Sequence, residues 1–240
     1  FEKVGGEVSA SNEYDFQVQK GLGPGEISDK IDCCPIDDDD VVSICEIKCL
    51  QYNVCSLSTI GNRKYVSEGF VNLKFHVGFF QEGRYPKNRL MKHGDILMCI
   101  SGQKSGGSHG CEVWLSMSAP VASVNNRKKF IRREDVSIVA SNYRFIIVRV
   151  CSKYINFYAI SAHAPYCGCK IDNHDAWWKM FTKEVGAVCC KPGMCLPILC
   201  GIDGNVSTFQ SGSDFIGSVG ALSKSPTANY SCFCDFLNCL

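Results

Sequence analysis

Apolar positions along this chain fall mostly in short blocks separated by polar or Gly-rich turns, the pattern of buried strands. Ile44 to Val54 is rich in β-branched and aromatic residues and reads as one strand ending at Asn53. Gly61 to Lys74 instead spaces Tyr65, Val66, Phe70 and Leu73 as on a helix. Phe75 to Phe80 is a second strand and runs into Gln81-Glu82. Asp95 to Ser101, Gly110 to Leu115, Ser137 to Ala140, Arg144 to Val150 and Ile155 to Ala162 are further strand candidates. Asp175 to Val188 is the second helix, with Trp177, Met180, Phe181 and Val185 on one face and Asn173 or Asp175 as its cap. Leu196 to Ile202, bounded by Pro197 and Gly201-Gly204, reads as a buried strand that delivers Asp203 and Asn205 at its exit. Cys232 to Leu240 has the spacing of a third helix. Many short strands at close spacing predict a β-sandwich, and there is no internal repeat.

Residues 1–40 lack apolar periodicity and end in Asp37-Asp38-Asp39-Asp40. They read as a disordered acidic leader, with the Asp run a solvated tail rather than a cation site. The folded domain is expected over 41–240.

Composition changes this picture little. Of 240 residues, 45% are apolar and 20% charged, which suits a globular domain. The net charge of +1 gives no bulk attraction to nucleic acid or membrane. One local cluster stands out: Arg127, Lys128, Lys129, Arg132 and Arg133, interrupted by Phe130 and Ile131. It suits contact with a nucleic-acid backbone, and equally an edge strand that uses charge to resist aggregation. The 17 Cys are irregularly spaced, with no paired C-x2-C arrangement for zinc, and many lie in apolar runs. Reduced, structural thiols in an intracellular protein, nuclear or cytoplasmic, are the expectation. No apolar run reaches the 18 residues of a membrane span, and nothing points to an oligomer.

The candidate chemistry sits at strand exits. Asp203 and Asn205 occupy alternate positions, so both can face the same way. An anion and a neutral donor-acceptor together suit a phosphate and a water; an Asx-type turn would use the same residues. Asn53 and Glu82 end two other strands and could reach a common site.

In order, Tyr52-Asn53-Val54, Gln81-Glu82, His163-Ala164-Pro165 and Gly201-Ile202-Asp203-Gly204-Asn205-Val206 resemble the motifs of the endonuclease/exonuclease/phosphatase superfamily, with its deoxyribonuclease I-like fold. The similarity covers roughly Ile44 to Leu240 and leans toward retrotransposon-type or eukaryotic expanded-family endonucleases. It implies an α/β (α+β) four-layer sandwich: two packed, mostly antiparallel sheets with helices outside, incomplete at the C-terminus. It implies hydrolysis of phosphate esters with magnesium, or manganese in its place, acting on nucleic acid and on DNA ahead of RNA. Glu82 matches the metal-binding Glu, and Asn53 the Asn that supports the metal or phosphate. Asp203 matches the Asp that handles the attacking water or the leaving group. Asn205 matches the phosphate-binding Asn, and His163 the His or Tyr near the scissile phosphate.

The chain departs from the family pattern in several places. Tyr52 replaces Trp, Tyr166 stands where many members have Asn, Cys55 where some have an acidic residue, and one extra residue separates Gly201 from Asp203. No His follows Asn205, so the family's terminal Ser-Asp-His is absent. A truncated sequence is the simplest reading, with slow hydrolysis expected of the 240 residues. A degenerate copy that binds nucleic acid or protein is the main alternative, and a phosphatase of small or lipid phosphates the other.

Overall fold

The computed structural model describes residues 42–104, 107–166, 171–189, 196–206 and 230–239, which leaves the acidic leader outside. The strands are β1 (Val42–Ile44), β2 (Cys49–Asn53), β3 (Val77–Gln81), β4 (Arg89–His93), β5 (Ile96–Ile100) and β6 (Cys111–Ser116). They continue with β7 (Ala122–Val124), β8 (Arg127–Lys129), β9 (Val136–Asn142), β10 (Phe145–Cys151), β11 (Asn156–His163) and β12 (Ile198–Asp203). The helices are α1 (Ile60–Asn72), α2 (Ile171–Cys189) and α3 (Tyr230–Asn238).

Two sheets form the body, one ordered β2-β3-β6-β5-β4 and the other β12-β11-β10-β9. Each is antiparallel except at one edge, where β2 pairs β3 and β11 pairs β12 in parallel. A parallel pair needs a crossover, and α1 and α2 supply them. A small third sheet, β1-β7-β8, completes the strands.

The two-residue period of the strands builds the layers. Val77, Phe79, Leu97, Cys99, Cys111, Val113 and Leu115 face inward and meet Ile146, Val148, Val150, Phe157 and Ala159 of the other sheet. Their alternates Phe80, Met98, Ile100 and Trp114 face outward and pack with Phe70 of α1. On the other side Phe145, Ile147, Tyr158 and Ile160 pack against Trp177, Trp178 and Phe181 of α2 and Phe236 of α3. The result is the expected four-layer α/β sandwich. Cys99 and Cys111 serve as small core residues, and burial pushes the Cys99 thiol up to about 12.

Several local expectations are corrected. Ile44 to Val54 is not one strand, because the segment changes partners: Cys45 N–H donates to Val121 O at 3.0 Å, whereas His76 N–H donates to Lys48 O at 2.8 Å. Its first part joins the small sheet and its second the large one. Helix α1 does not bury Tyr65 or Leu73, which are 80% and 65% exposed. Its buried face is Arg63, Ser67 and Phe70, because Glu112 on β6 draws Arg63 inward. Helix α2 already runs at Ile171, so Asn173 and Asp175 lie within it and neither caps it. Strands β4, β7 and β8 lacked an apolar signature; the Asn125-Asn126 turn between β7 and β8, with φ of 48° and 64°, was their local signal.

The sheets come closest at Gly201, where an added Cβ would overlap the Phe79 side chain. Gly201→Ala is expected to destabilise the fold by about 1–3 kcal/mol through overpacking. A urea melt checks this; an unchanged midpoint would contradict the close approach.

Candidate active site

Strand register brings the predicted residues to one end of the sandwich. Asn53 lies opposite Gln81 in the β2–β3 pair, and His163 opposite Asp203 in the β11–β12 pair. Each follows the inward parity of its strand, so two parallel edges present side chains to each other across the inter-sheet gap. Gln81 links them. Its Nε2 donates to Ser161 Oγ at 3.0 Å and to Gly201 O at 3.1 Å, and its Oε1 accepts from Gln51 Nε2 at 3.0 Å. Ser161 Oγ donates in turn to Phe80 O at 3.0 Å.

Around this bridge Asn53 Nδ2 donates to Asp203 Oδ2 at 2.8 Å and to Glu82 Oε1 at 3.3 Å. One carboxamide therefore joins carboxylates from opposite sheets. Its Oδ1 accepts from Cys55 N–H at 3.1 Å, so Cys55, where a second acidic residue was sought, supplies a backbone donor instead. His163 Nε2 lies 4.0 Å from Asp203 Oδ2. Asn205 N–H donates to Asp203 Oδ1 at 3.2 Å, an Asx-type turn with Asn205 at φ 47°. Asn205 Nδ2 donates to Ala164 O at 2.9 Å and ties the two strand exits together. Asn53, Glu82, His163, Asp203 and Asn205 thus converge.

Arg127, Lys128, Lys129, Arg132 and Arg133 do not join them. They follow the far end of β6, where Leu115 pairs with Val77 rather than Cys111 with Gln81.

Three residues that carried no motif enter the site. Arg84 Nη2 lies 2.7 Å from Glu82 Oε2, two residues along a loop in which both have positive φ. Gly83 between them has no room for a Cβ, which would meet the Glu112 carboxylate at 2.5 Å. His109, from the Gly-rich turn, stacks on Tyr143 at 5.6 Å and meets the His163 ring edge-on at 5.6 Å. Arg144 donates to His163 O at 3.2 Å. The Arg two places after Glu82 was the only one with a usable sequence signal.

Charge is balanced tightly here. Burial raises the Glu82 carboxyl, but its bonds from Arg84 and Asn53 prevail and hold it below the usual carboxylate range. Burial lowers His163 against the pull of Asp203, with Arg144 adding to the depression, so its imidazole is neutral at neutral pH. Burial, then Arg144, His163 and Lys104, push His109 down to about 3.

Among the described residues no three His, Cys, Asp or Glu side chains form a chelating cluster. Magnesium does not need one, since it keeps several waters and takes about one or two carboxylates. Glu82, with the Asn53 carboxamide and Asp203 beside it, is a hard oxygen set that fits such an ion. Each carboxylate oxygen has lone pairs beyond the bonds given above.

The His109 environment sets a pH dependence. Between about pH 6.5 and pH 3 an unfolded chain protonates this imidazole while the folded one does not. Stability is therefore expected to fall as pH drops through that window, and less steeply in His109→Asn. Urea midpoints at about pH 7 and pH 5, for both proteins, check the sign; equal slopes would refute the buried neutral imidazole.

No protein-family model and no curated protein matches the chain. Among solved structures it is similar to the AP endonuclease LMAP from Leishmania major, with TM-score 0.58 and 9% identity over 80% of this chain and 66% of that one. It is also similar to the endonuclease domain of TRAS1, a telomere-specific non-LTR retrotransposon, with TM-score 0.51 and 11% identity over 81% of this chain and 71% of that one. At these identities the likeness speaks to architecture. The chain has the deoxyribonuclease I-like fold of the endonuclease/exonuclease/phosphatase proteins.

Proposed function

We propose that the chain hydrolyses phosphodiester bonds of nucleic acid, DNA in particular, with a divalent cation. The observation that carries this reading is the Asn53 carboxamide held between Glu82 and Asp203, with His163 beside Asp203. Four strand exits from two sheets supply these groups, and no fold-stabilising need places two carboxylates and an imidazole together.

Glu82 and Asn53 would hold the ion, which when bound neutralises phosphate charge and acidifies a water. Asp203 is fixed by Asn53 and by the Asn205 backbone, so it accepts a proton from a water without first reorienting. Neutral His163 can donate one hydrogen bond to a phosphoryl oxygen as charge develops there. Asn205 closes the loop over Ala164 and retains an amide hydrogen for the same purpose.

One observation favours a second reading, a copy that binds without cleaving. The Arg84 guanidinium sits on Glu82 where a cation would be drawn. Arg84 must swing out before Glu82 can take an ion, and its side chain is 41% exposed.

Plasmid nicking separates the two readings. With magnesium, the 240-residue chain is expected to nick slowly, and manganese to substitute. Glu82→Ala and Asp203→Asn should each lower the rate by about 100- to 10,000-fold. Arg84→Ala should lower the magnesium concentration needed for half-maximal rate. Nicking that survives Glu82→Ala, or that never depends on metal, would overturn the hydrolytic reading; no nicking at any metal concentration would favour the binding copy.

A further inference from the structure

The cations that the candidate site leaves out form a surface of their own. Strand β8 presents Arg127, Lys128 and Lys129 on the small sheet, and the chain continues through Phe130 to Arg132 and Arg133. Lys153 and Tyr154 come alongside from the turn between β10 and β11, because Lys129 Nζ lies 5.0 Å over the Tyr154 ring. The acids in this region are Glu134, 3.8 Å from Arg132, and Asp135, which accepts from Arg132 N–H at 2.8 Å. Both engage Arg132, so the other cations face solvent without a carboxylate bound to them in this cluster.

Position separates this surface from the site. Tyr154 follows Cys151, which pairs with Asn156 at one end of the β10–β11 hairpin; His163 lies past Phe145 at the other end. The seven residues of β10 place about 20 Å between the two ends. The whole-chain balance hides the patch: eleven of the 24 acidic residues fall in residues 1–40, beside only Lys3, Lys20 and Lys30.

Two features distinguish the patch from a merely soluble edge. An edge strand needs one or two charges to resist pairing, whereas this one carries a charge at each of its positions and more beyond. Phe130, 39% exposed, stands in the middle of the cations, where a solubilising surface would not place an apolar ring. Cations that follow a backbone, with an aromatic face between them for a base, are the chemistry of single-strand recognition.

We infer that β8, its continuation to Arg133 and the Lys153-Tyr154 turn form a second nucleic-acid surface, one that binds single strands about 20 Å from the hydrolytic site. Arg127, Lys128 and Arg133 take backbone phosphates, and Phe130 stacks on one base. The inference rests on the hydrolytic reading only for the choice of nucleic acid as the polyanion. Its consequence is a protein that holds one stretch of a strand at β8 while another lies at Glu82 and Asp203.

Fluorescence anisotropy of a labelled oligothymidylate of about twenty nucleotides tests it, with the full chain in EDTA so that no cleavage intervenes. The triple variant Arg127→Gln, Lys128→Gln, Arg133→Gln changes exposed side chains only. It is expected to weaken binding at least about tenfold and to flatten the salt dependence by about two phosphate contacts. Phe130→Ala should weaken binding by about fivefold or more with the salt slope unchanged. Glu82→Ala should bind the oligonucleotide as the unaltered chain does while losing nicking, which keeps failure of the site apart from failure of this surface. Unaltered binding and salt slope in the triple variant would overturn the inference. So would tighter binding of polyglutamate, or of vesicles containing anionic lipid, than of the oligonucleotide.

Discussion

The carboxamide of Gln81 lies wholly buried between the two sheets, with both amide hydrogens and its oxygen in hydrogen bonds. A buried amide left unpaired costs about 1–3 kcal/mol, so this one specifies its neighbours. Ser161 and Gly201 must approach from β11 and β12, and Gly201 can do so only because it has no Cβ to meet Phe79. Every reacting group is counted from this bridge. Asn53 is its strand partner, Glu82 its successor, His163 lies two residues beyond Ser161 and Asp203 two beyond Gly201. The gap that Gln81 sets between the sheets is thus the gap that Asn53 spans to reach Asp203.

A second buried polar group holds the loop that carries Glu82. The Glu112 carboxylate accepts from both terminal nitrogens of Arg63 at 2.8 Å and from Trp114 Nε1 at 2.7 Å. A buried pair of this kind is tolerable because its hydrogen bonds are complete. It leaves Gly83 pressed against Glu112, while Gly83 N–H donates to Gly110 O and Leu57 N–H to Gly83 O, at 2.9 and 3.0 Å. The positive φ values of Glu82 and Arg84 follow from a loop held on both sides. Glu82 is therefore presented by a rigid turn, and its bonds to Arg84 and Asn53 keep it ionised.

The sequence made the strands that line the sandwich legible wherever apolar alternation was strong, as in β3, β5, β6, β10 and β11. It made Asn53, Glu82, His163, Asp203 and Asn205 legible because each sits at a strand exit beside a recognisable motif. It concealed β8, whose three residues are all cationic, and the inward turn of Arg63, which no apolar pattern announces. His109 and Arg144 were illegible for another reason. They reach His163 from a Gly-rich turn and from the turn between β9 and β10, and no spacing in the chain relates those segments.

Local chemistry alone determined the alternation of inward and outward residues, the helical spacing of α2 and α3, and the Asx turn at Asp203, because each depends on neighbours a few residues away. Tertiary structure decided which ends of the strands coincide. Two parallel edge pairs, one in each sheet, bring their exits to the same end, so residues 150 positions apart share a hydrogen bond between Asn53 and Asp203. The same register carried Arg127 to Arg133 to the opposite end. A charge cluster has no address in the sequence; only the direction in which β6 leaves the site, away from Gln81 and toward the small sheet, assigned it one.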